Sequence, residues 1–148
     1  MIIKGFFVRI AAFCCVMAAS GAGWCSDNGT VTINGLVVLK DASCLGARTW
    51  EEAKSVTAAL SESTAPAACN LKDGSKPGQW HLPYISSLRT ICSQKGQLTN
   101  VRSGIYWSYN PSPVPPGAYS IMSTQFPGCY DINPRPTSFS NIIAVRNP

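Results

Sequence analysis

The sequence has few charged residues, one histidine and no Cys-x-x-Cys motif, and each of these shortages argues against a class of protein. Only 13% of its 148 residues are charged, with 12 Lys or Arg against 7 Asp or Glu and a formal net charge of +5. The basic residues stand singly, whereas a nucleic-acid-binding surface needs them clustered. Because His81 is the only histidine and no Cys-x-x-Cys occurs, neither a zinc site nor another metal or cofactor is expected.

No apolar run reaches the roughly 20 residues of a membrane-spanning helix, but residues 1–25 have the pattern of a signal peptide. Two basic residues precede an apolar core, Ile10 to Ala19, and small residues follow it. We expect cleavage between Ala22 and Ser26, no membrane span afterwards, and an exported product that is periplasmic, cell-surface or extracellular. The alternative is an N-terminal anchor that is not cleaved.

The remaining residues, 26–148, have the length of one domain and hold an even number of cysteines. Two of the seven cysteines leave with the signal peptide, and a third lies at the cut. The four that remain are Cys44, Cys69, Cys92 and Cys129. In an exported chain they predict two disulfides. Of the three pairings that four cysteines allow, we favour Cys44–Cys69 and Cys92–Cys129, each worth about 3–4 kcal/mol by loop-closure entropy.

The first part of this domain predicts a β-hairpin followed by a helix. An alternating stretch precedes the turn signal Asn34-Gly35, and an apolar strand, Leu36 to Leu39, follows it. Thr49 and Glu52 have the spacing of a capping box, in which each residue satisfies a free N–H group of the other. The helix that begins there is expected to end near Ser61.

The middle of the domain contains Gly78-Gln79-Trp80-His81-Leu82-Pro83, whose Trp, Leu and Pro predict a buried corner. A short helix is expected to follow from Tyr84, with an apolar stripe of Ile85, Leu88 and Ile91 or Cys92. Gly96 is the expected stop. A helix of about 10 residues is marginal by itself, so it must pack against the rest of the domain.

The last third alternates between strands and proline-rich segments. Ile105 to Tyr109, Ala118 to Met122 and Asn141 to Arg146 predict strands, and the segments between them, Asn110 to Gly117 and Gln125 to Ser140, predict long irregular loops. Two helices are too few to cover both faces of these strands, so we expect an α+β fold with a twisted antiparallel sheet.

An ordered set of short motifs resembles a known family. The motifs are Asp27 to Thr32, Gly35 to Ala42, Thr49 to Ala53, Asp73-Gly74-Ser75, Trp80 to Pro83, Tyr106-Trp107-Ser108 and Ala144-Val145-Arg146. Together they resemble the C-terminal domain of bacterial collagen-like adhesins, formerly a domain of unknown function. The resemblance covers nearly all of residues 26–148.

The resemblance implies a C-type-lectin-like fold, with two helices, a twisted antiparallel sheet, neighbouring termini and a long loop region that binds ligands. The collagen-like adhesin itself binds sulfated glycosaminoglycans and has a trimeric terminal domain. This chain departs from the family's pattern at three positions: His81 and Ser87 replace the usual Arg and Glu, and Val38 stands where Trp is common. It also lacks a collagen-like stalk.

We therefore predict a non-catalytic recognition or adhesion domain for an acidic polysaccharide or a surface protein, with homo-oligomerisation left open. Binding through the loops 109–118 and 125–140 would use aromatic faces and cations. The candidate residues are Arg102, Tyr109, Tyr119, Tyr130 and Arg135. Tyr106 and Trp107 are expected in the core instead.

The sequence also bears on four alternative functions. His81 as a catalytic base lacks an oriented nucleophile and is better interpreted as a structural polar group. A lectin-type calcium site lacks carboxylates, since Asp131 is the only one in the later loops. The formylglycine-generating oxidases share the fold at most, and their active-site cysteines correspond here to expected disulfides. A structural subunit of a surface or periplasmic assembly is the remaining alternative.

Overall fold

The computed structural model describes residues 27–111, 119–123, 129–132 and 134–148, and in these ranges the fold is α+β. Two helices, α1 (Trp50–Ala59) and α2 (Ile85–Ser93), pack beside eight short strands. The strands are β1 (Thr30–Ile33), β2 (Leu36–Leu39), β3 (Ala47–Arg48), β4 (Ile105–Pro111), β5 (Tyr119–Ser123), β6 (Tyr130–Ile132), β7 (Ser140–Asn141) and β8 (Val145–Arg146). The expected signal peptide and most of the first predicted loop, residues 112–118, lie outside the described residues.

The strands form two small sheets. The first has the order β1-β2-β8 and is antiparallel throughout. The second has the order β3-β7-β4-β5-β6 and is antiparallel except for β4 and β7, which pair in parallel at Tyr106 and Asn141. The predicted antiparallel sheet is therefore divided in two, with one parallel contact.

The predicted strand Asn141 to Arg146 is in fact two strands, β7 and β8, which belong to different sheets. The residues between them, Ile142 to Ala144, are buried, and the Ala144 carbonyl accepts a hydrogen bond of 3.0 Å from the Leu39 N–H. Burial on all sides explains the apolar run, since a segment that crosses between sheets inside the core is as apolar as a buried strand.

The two helices pack on opposite faces of the second sheet, α1 against β3 and β4 and α2 against β4 and β5. Trp50 of α1 lies in one core cluster with Trp80 and Trp107. Leu88 of α2 lies in a second cluster with Tyr106. Tyr106 and Trp107 are neighbours on β4, and successive strand side chains point to opposite faces. The predicted α+β class is therefore confirmed, with one short helix on each face of β4.

Local signals in the first part of the domain are confirmed. The hairpin turns at Asn34 and Gly35 with φ of 49° and 80°, and positive φ at both central residues is what a type I′ turn requires. The capping box is present, with the Thr49 N–H donating to the Glu52 carboxylate over 3.0 Å. Helix α1 ends at Ala59, two residues earlier than expected.

Both favoured disulfides are confirmed. Cys44–Cys69 joins the loop before α1 to a short 3-10 turn after it, Ala67–Cys69, and so ties the start of the helix to its end. Cys92–Cys129 joins the last turn of α2 to the residue before β6. The presence of β6 corrects the interpretation of Gln125 to Ser140 as wholly irregular, although residues 124–128 and 133 are not described.

An ion pair between Asp73 and Arg146 anchors β8, the last strand of the first sheet. The Asp73 side chain is only 1% exposed and accepts hydrogen bonds of 3.0 Å from Arg146 of β8 and 3.1 Å from the Ser75 N–H. Burial alone would raise the pKa of Asp73, but the hydrogen bonds from Ser75 and Arg146 outweigh it, and the net pKa lies below its ordinary value. Asp73 is therefore ionised in the folded protein.

Replacing Asp73 by Asn should destabilise the fold by about 3 kcal/mol, because Arg146 would keep its charge without a buried partner. Urea unfolding followed by tryptophan fluorescence measures the change. Glu51→Gln is the matched control, since Glu51 pairs with Lys54 at the surface and should change stability by less than about 1 kcal/mol. Equal losses in the two variants would contradict the structural role of Asp73.

The stability that the Asp73–Arg146 ion pair contributes should depend on pH. Because the pKa of Asp73 is lowered in the folded protein, this contribution should be full above about pH 4 and be lost as the pH falls through the folded pKa. The stability of the Asp73→Asn variant should therefore fall less between pH 5 and pH 2 than that of the original protein.

Gly29 permits the closest backbone contact near the first disulfide. Its φ is +76°, and a Cβ there would lie 2.6 Å from the Cys69 carbonyl oxygen and 2.5 Å from that of Asn70. Gly35 has nearly the same φ, +80°, but a Cβ there would meet nothing within 4 Å. The two positions therefore differ in the space around them and hardly in φ.

Gly35→Ala should therefore cost about 1–2 kcal/mol, from left-handed backbone strain alone. Gly29→Ala should cost about 1–3 kcal/mol more, because the new methyl group also overpacks the Cys69 and Asn70 backbone. Chemical unfolding of the two variants in parallel gives the difference. If both alanine variants lose the same stability, the close approach at Gly29 has no energetic weight.

Candidate binding surface

Two exposed aromatic side chains that touch one another lie at the start of α2. Tyr84 is 50% exposed and Tyr109 43% exposed, and their ring centroids are 5.2 Å apart in an edge-to-face arrangement. The His81 ring lies 6.2 Å from that of Tyr84. We call His81, Tyr84 and Tyr109 the aromatic patch. Each tyrosine there presents an apolar ring and a polar hydroxyl to solvent.

The aromatic patch is held by the corner that the sequence predicts at Trp80 to Pro83. Trp80 and Leu82 are buried in the first core cluster, and the His81 backbone pairs with Val145 of β8 through two hydrogen bonds of 2.9 Å. The Tyr109 N–H then donates to the Pro83 carbonyl over 2.8 Å. Backbone hydrogen bonds therefore fix both ends of the patch, so its geometry does not depend on side-chain packing alone.

Asn110 supplies the cap that α2 lacks in its own sequence. Tyr84 stands at the N-cap and has no side-chain acceptor for the free N–H groups of the first turn. The Asn110 side-chain oxygen accepts a hydrogen bond of 2.8 Å from the Ile85 N–H instead. A residue at the end of β4 therefore caps a helix 25 positions earlier in the chain.

His81 makes contacts that explain it structurally. Its Nδ1 lies 2.8 Å from the Leu82 carbonyl oxygen, which can only accept, so Nδ1 carries the proton and donates. The side chain is partly buried against Tyr84. These contacts agree with the interpretation of His81 as a structural polar group.

A shallow basic groove lies at the opposite end of α2. It is lined by Lys95, Gly96, Val101, Arg102 and Ser103. The buried Tyr106 hydroxyl fixes the backbone of Arg102, since it accepts from the Arg102 N–H over 2.9 Å and donates to the Arg102 carbonyl over 3.2 Å. Burial raises the pKa of Tyr106, so the hydroxyl keeps the proton that it donates.

The outward face of α2 connects the aromatic patch to the basic groove. Ser86, Arg89 and Ser93 are exposed along it, and Arg89 forms an ion pair with Asp131 of β6. Nine residues at 1.5 Å each make the helix roughly 13 Å long. We call this face, with the aromatic patch and the basic groove at its two ends, the α2 surface.

All seven carboxylates of the chain accept hydrogen bonds from within the fold. The pairs are Asp27 with Lys40, Asp41 with Asn100, Glu51 with Lys54, Glu52 with Thr49, Glu62 with the Gly74 N–H, Asp73 with Arg146, and Asp131 with Arg89. The negative charges therefore serve local structure. The excess of Lys and Arg over Asp and Glu sets the sign of the potential around the molecule.

The five predicted binding residues do not form one cluster. Tyr109 lies in the aromatic patch, and Tyr119 begins β5 opposite Pro111, at the same end of the sheet, although its side chain is not described. Arg102 lies in the basic groove, and Tyr130, 47% exposed, pairs with Ser123 at that end of the second sheet. Arg135 is exposed in the loop whose Pro136 carbonyl meets the start of α1. The predicted core residues Tyr106 and Trp107 are fully buried.

Sequence reasoning missed Tyr84, Lys95 and Asn110. Tyr84 directly follows Pro83 and falls outside the apolar stripe of α2, and this position could have marked it as exposed. Lys95 gave no signal, because its relation to Arg102 depends on how the chain turns after α2. Asn110 lies inside a proline-rich segment that offered no hint of a capping role.

The described residues contain neither a candidate metal-binding group nor a candidate membrane-spanning helix. No group of three or more His, Cys, Asp or Glu side chains is placed to hold a metal ion in residues 27–111, 119–123, 129–132 and 134–148. No helix in the same ranges is long and apolar enough to span a membrane.

Replacing Asn110 by Ala should destabilise the protein by about 1 kcal/mol, because the first N–H of α2 loses its acceptor. Asn110→Asp keeps an acceptor oxygen at a helix N-terminus and should stay close to the original stability. Thermal unfolding measures both variants. An aspartate variant as unstable as the alanine variant would show that the hydrogen bond to Ile85 is not what stabilises this junction.

Comparison with protein families and with curated proteins does not assign the chain to a family. No protein-family model matches the chain, and no curated protein is significantly similar to it. The resemblance to the terminal domain of collagen-like adhesins therefore stays a prediction.

Proposed function

We propose that this protein is an exported recognition domain that binds an acidic glycan along the α2 surface. The observation that carries the proposal is the fixed placement of exposed tyrosines at one end of α2 and of Lys95 and Arg102 at the other. A chain of sugars with carboxylate or sulfate groups presents both kinds of partner for such a surface, since it has apolar ring faces and periodic negative charges.

The cations suit an anionic ligand for a physical reason. Arg presents several N–H donors in a planar fork that matches a carboxylate or sulfate, and charge-assisted hydrogen bonds are stronger than neutral ones. The Tyr106 hydroxyl holds the backbone of Arg102 on both sides. Less backbone freedom is then lost on binding, which lowers the entropic cost of the contact.

The overall architecture supports the proposed relation to C-type-lectin-like domains. Two helices flank small, mostly antiparallel sheets, and strands β1 and β8 lie in one sheet with only β2 between them. Neighbouring first and last strands are what the adhesin resemblance implies. The two disulfides agree with export. An oxidase of the formylglycine-generating type would need free thiols, whereas the four cysteines of this domain are paired in the two disulfides.

Titration of the protein with dextran sulfate, polygalacturonate and neutral dextran of matched length tests the proposal. The charged polymers should bind, and their affinity should fall as NaCl rises from about 50 to 500 mM. The Lys95→Ala/Arg102→Ala double variant should bind about tenfold more weakly, with a smaller salt dependence, because two charge contacts of about 0.5–1 kcal/mol each are lost. The Tyr84→Ala/Tyr109→Ala variant should also bind more weakly but keep the original salt dependence.

Lys72→Ala/Lys76→Ala is the matched control, because it removes the same charge from exposed positions outside the α2 surface. It should reduce binding only slightly. An equal loss in this control would mean non-specific charge attraction. Equal binding of neutral dextran would contradict the preference for acidic glycans. If none of the polymers binds, a structural subunit becomes the better description.

A further inference from the structure

A small apolar pit lies under the second half of α2. Its volume is about 10 Å³, and it is partly open to solvent. Six of its lining residues are buried members of the second core cluster: Leu88, Ile91, Cys92, Leu98, Tyr106 and Ile143. We call this space the apolar pit.

The apolar pit adjoins the basic groove, because Lys95 and Val101 line both of them. The groove has a volume of about 270 Å³. The space beside Gly96 in the groove is open, since a Cβ at this position would meet no atom within 4 Å. A ligand that lies in the basic groove is therefore next to the apolar pit.

The size and the walls of the apolar pit suit one methyl group. A cavity of roughly 10–15 Å³ holds one water-sized group, but a water there needs two to four polar partners. The polar side-chain atoms of the buried walls are engaged elsewhere: the Tyr106 hydroxyl bonds to the Arg102 backbone, and the Cys92 sulfur is bonded to that of Cys129. A methyl group needs no polar partner, and its burial should strengthen binding about fourfold.

We propose that the basic groove and the apolar pit together bind a sugar that carries an acetamido group, with the methyl of that group in the pit. This inference rests on the proposed function and narrows its ligand to acidic glycans that contain N-acetylated sugars. In such a ligand, a carboxylate or sulfate of the neighbouring sugar contacts Lys95 and Arg102, as the proposed function requires.

An acetamido group suits this place better than the other methyl-bearing groups of glycans. A methyl ester would remove the carboxylate charge that Lys95 and Arg102 attract. An O-acetyl group has no N–H, whereas an amide has both a donor and an acceptor beside its methyl group. The groove offers partners for both, since the Ser103 hydroxyl can accept from an N–H, and Lys95 and Arg102 can donate to a carbonyl oxygen.

Hyaluronate tests the inference, because its repeating unit has one carboxylate and one acetamido group. N-deacetylation followed by N-formylation, N-acetylation or N-propionylation gives three polymers that differ only in the acyl group. The acetyl polymer should bind about fourfold more tightly than the formyl polymer, which lacks the methyl group. The propionyl polymer should bind more weakly than the acetyl polymer, since its longer chain overfills the pit. Both ratios should be the same at low and high NaCl, because salt screens charge contacts and not apolar ones.

Changing the size of the apolar pit gives the second test. Ile143→Val removes one methylene from its wall, so the propionyl polymer should then bind at least as tightly as the acetyl polymer. Val101→Ile adds one methylene beside the pit and should remove the advantage of acetyl over formyl. Ile33→Val is the matched control, because Ile33 belongs to the same core cluster but does not line the pit. It should keep the original order of the three polymers. All three substitutions are small enough for the fold to remain.

These measurements separate the inference from the proposed function. If the three polymers bind equally and Lys95→Ala/Arg102→Ala still weakens all of them, the apolar pit takes no part in binding. The inference is then wrong, whereas the proposed function stands. An equal change of preference in Ile143→Val and Ile33→Val would also overturn the inference. If none of the three polymers binds, and the polymers that test the proposed function do not bind either, both fail together.

Discussion

Strand β8 is bonded along both of its sides, and the rest of the structure depends on this double pairing. On one side Val145 and Arg146 pair with β2, and on the other Val145 pairs with the backbone of His81. The hairpin, the Trp80 to Pro83 corner and the crossing between the two sheets are therefore joined by one two-residue strand. Arg146 completes the junction, because it reaches the buried Asp73 carboxylate and lies 5.5 Å from the centre of the Trp80 ring.

The same junction holds the α2 surface in place. The corner ends at Pro83, whose carbonyl holds β4 at Tyr109, and Asn110 of the same strand caps α2 in return. Helix and strand thus position each other without a long side-chain network. At the far end of α2, Cys92–Cys129 and the Arg89–Asp131 ion pair hold β6 against the helix. A short helix, marginal in isolation, is in this way fixed at both ends.

What the sequence revealed depended on how local the signal was. The Asn34-Gly35 turn, the capping box at Thr49 and the Cys44–Cys69 disulfide were predictable, because each follows from residues near in sequence or from the start and end of one helix. Cys92 and Cys129 are then the two cysteines that remain to pair. The division of residues 141–146 between two sheets could not be predicted. An apolar run has the same sequence pattern whether it forms one strand or a buried segment that crosses between two sheets. Of the α2 surface, Tyr109 and Arg102 were predictable as exposed polar or aromatic residues. Tyr84 could have been marked as exposed from its position after Pro83, whereas its contact with Tyr109 and the place of Lys95 beside Arg102 depend on long-range packing.

The pairing of β2 with β8 also constrains when the domain can fold. Val38 meets Val145 more than a hundred residues later in the chain, and Leu39 meets Ala144 over a similar span. A polypeptide that crosses a membrane from its N-terminus delivers β2 long before its partner. Until β8 arrives, the hairpin remains an isolated ribbon, which is marginally stable in water. Native contacts this distant in sequence form slowly. The same long-range pairing that holds the folded domain together would therefore keep the chain unfolded during the translocation that the proposed export requires.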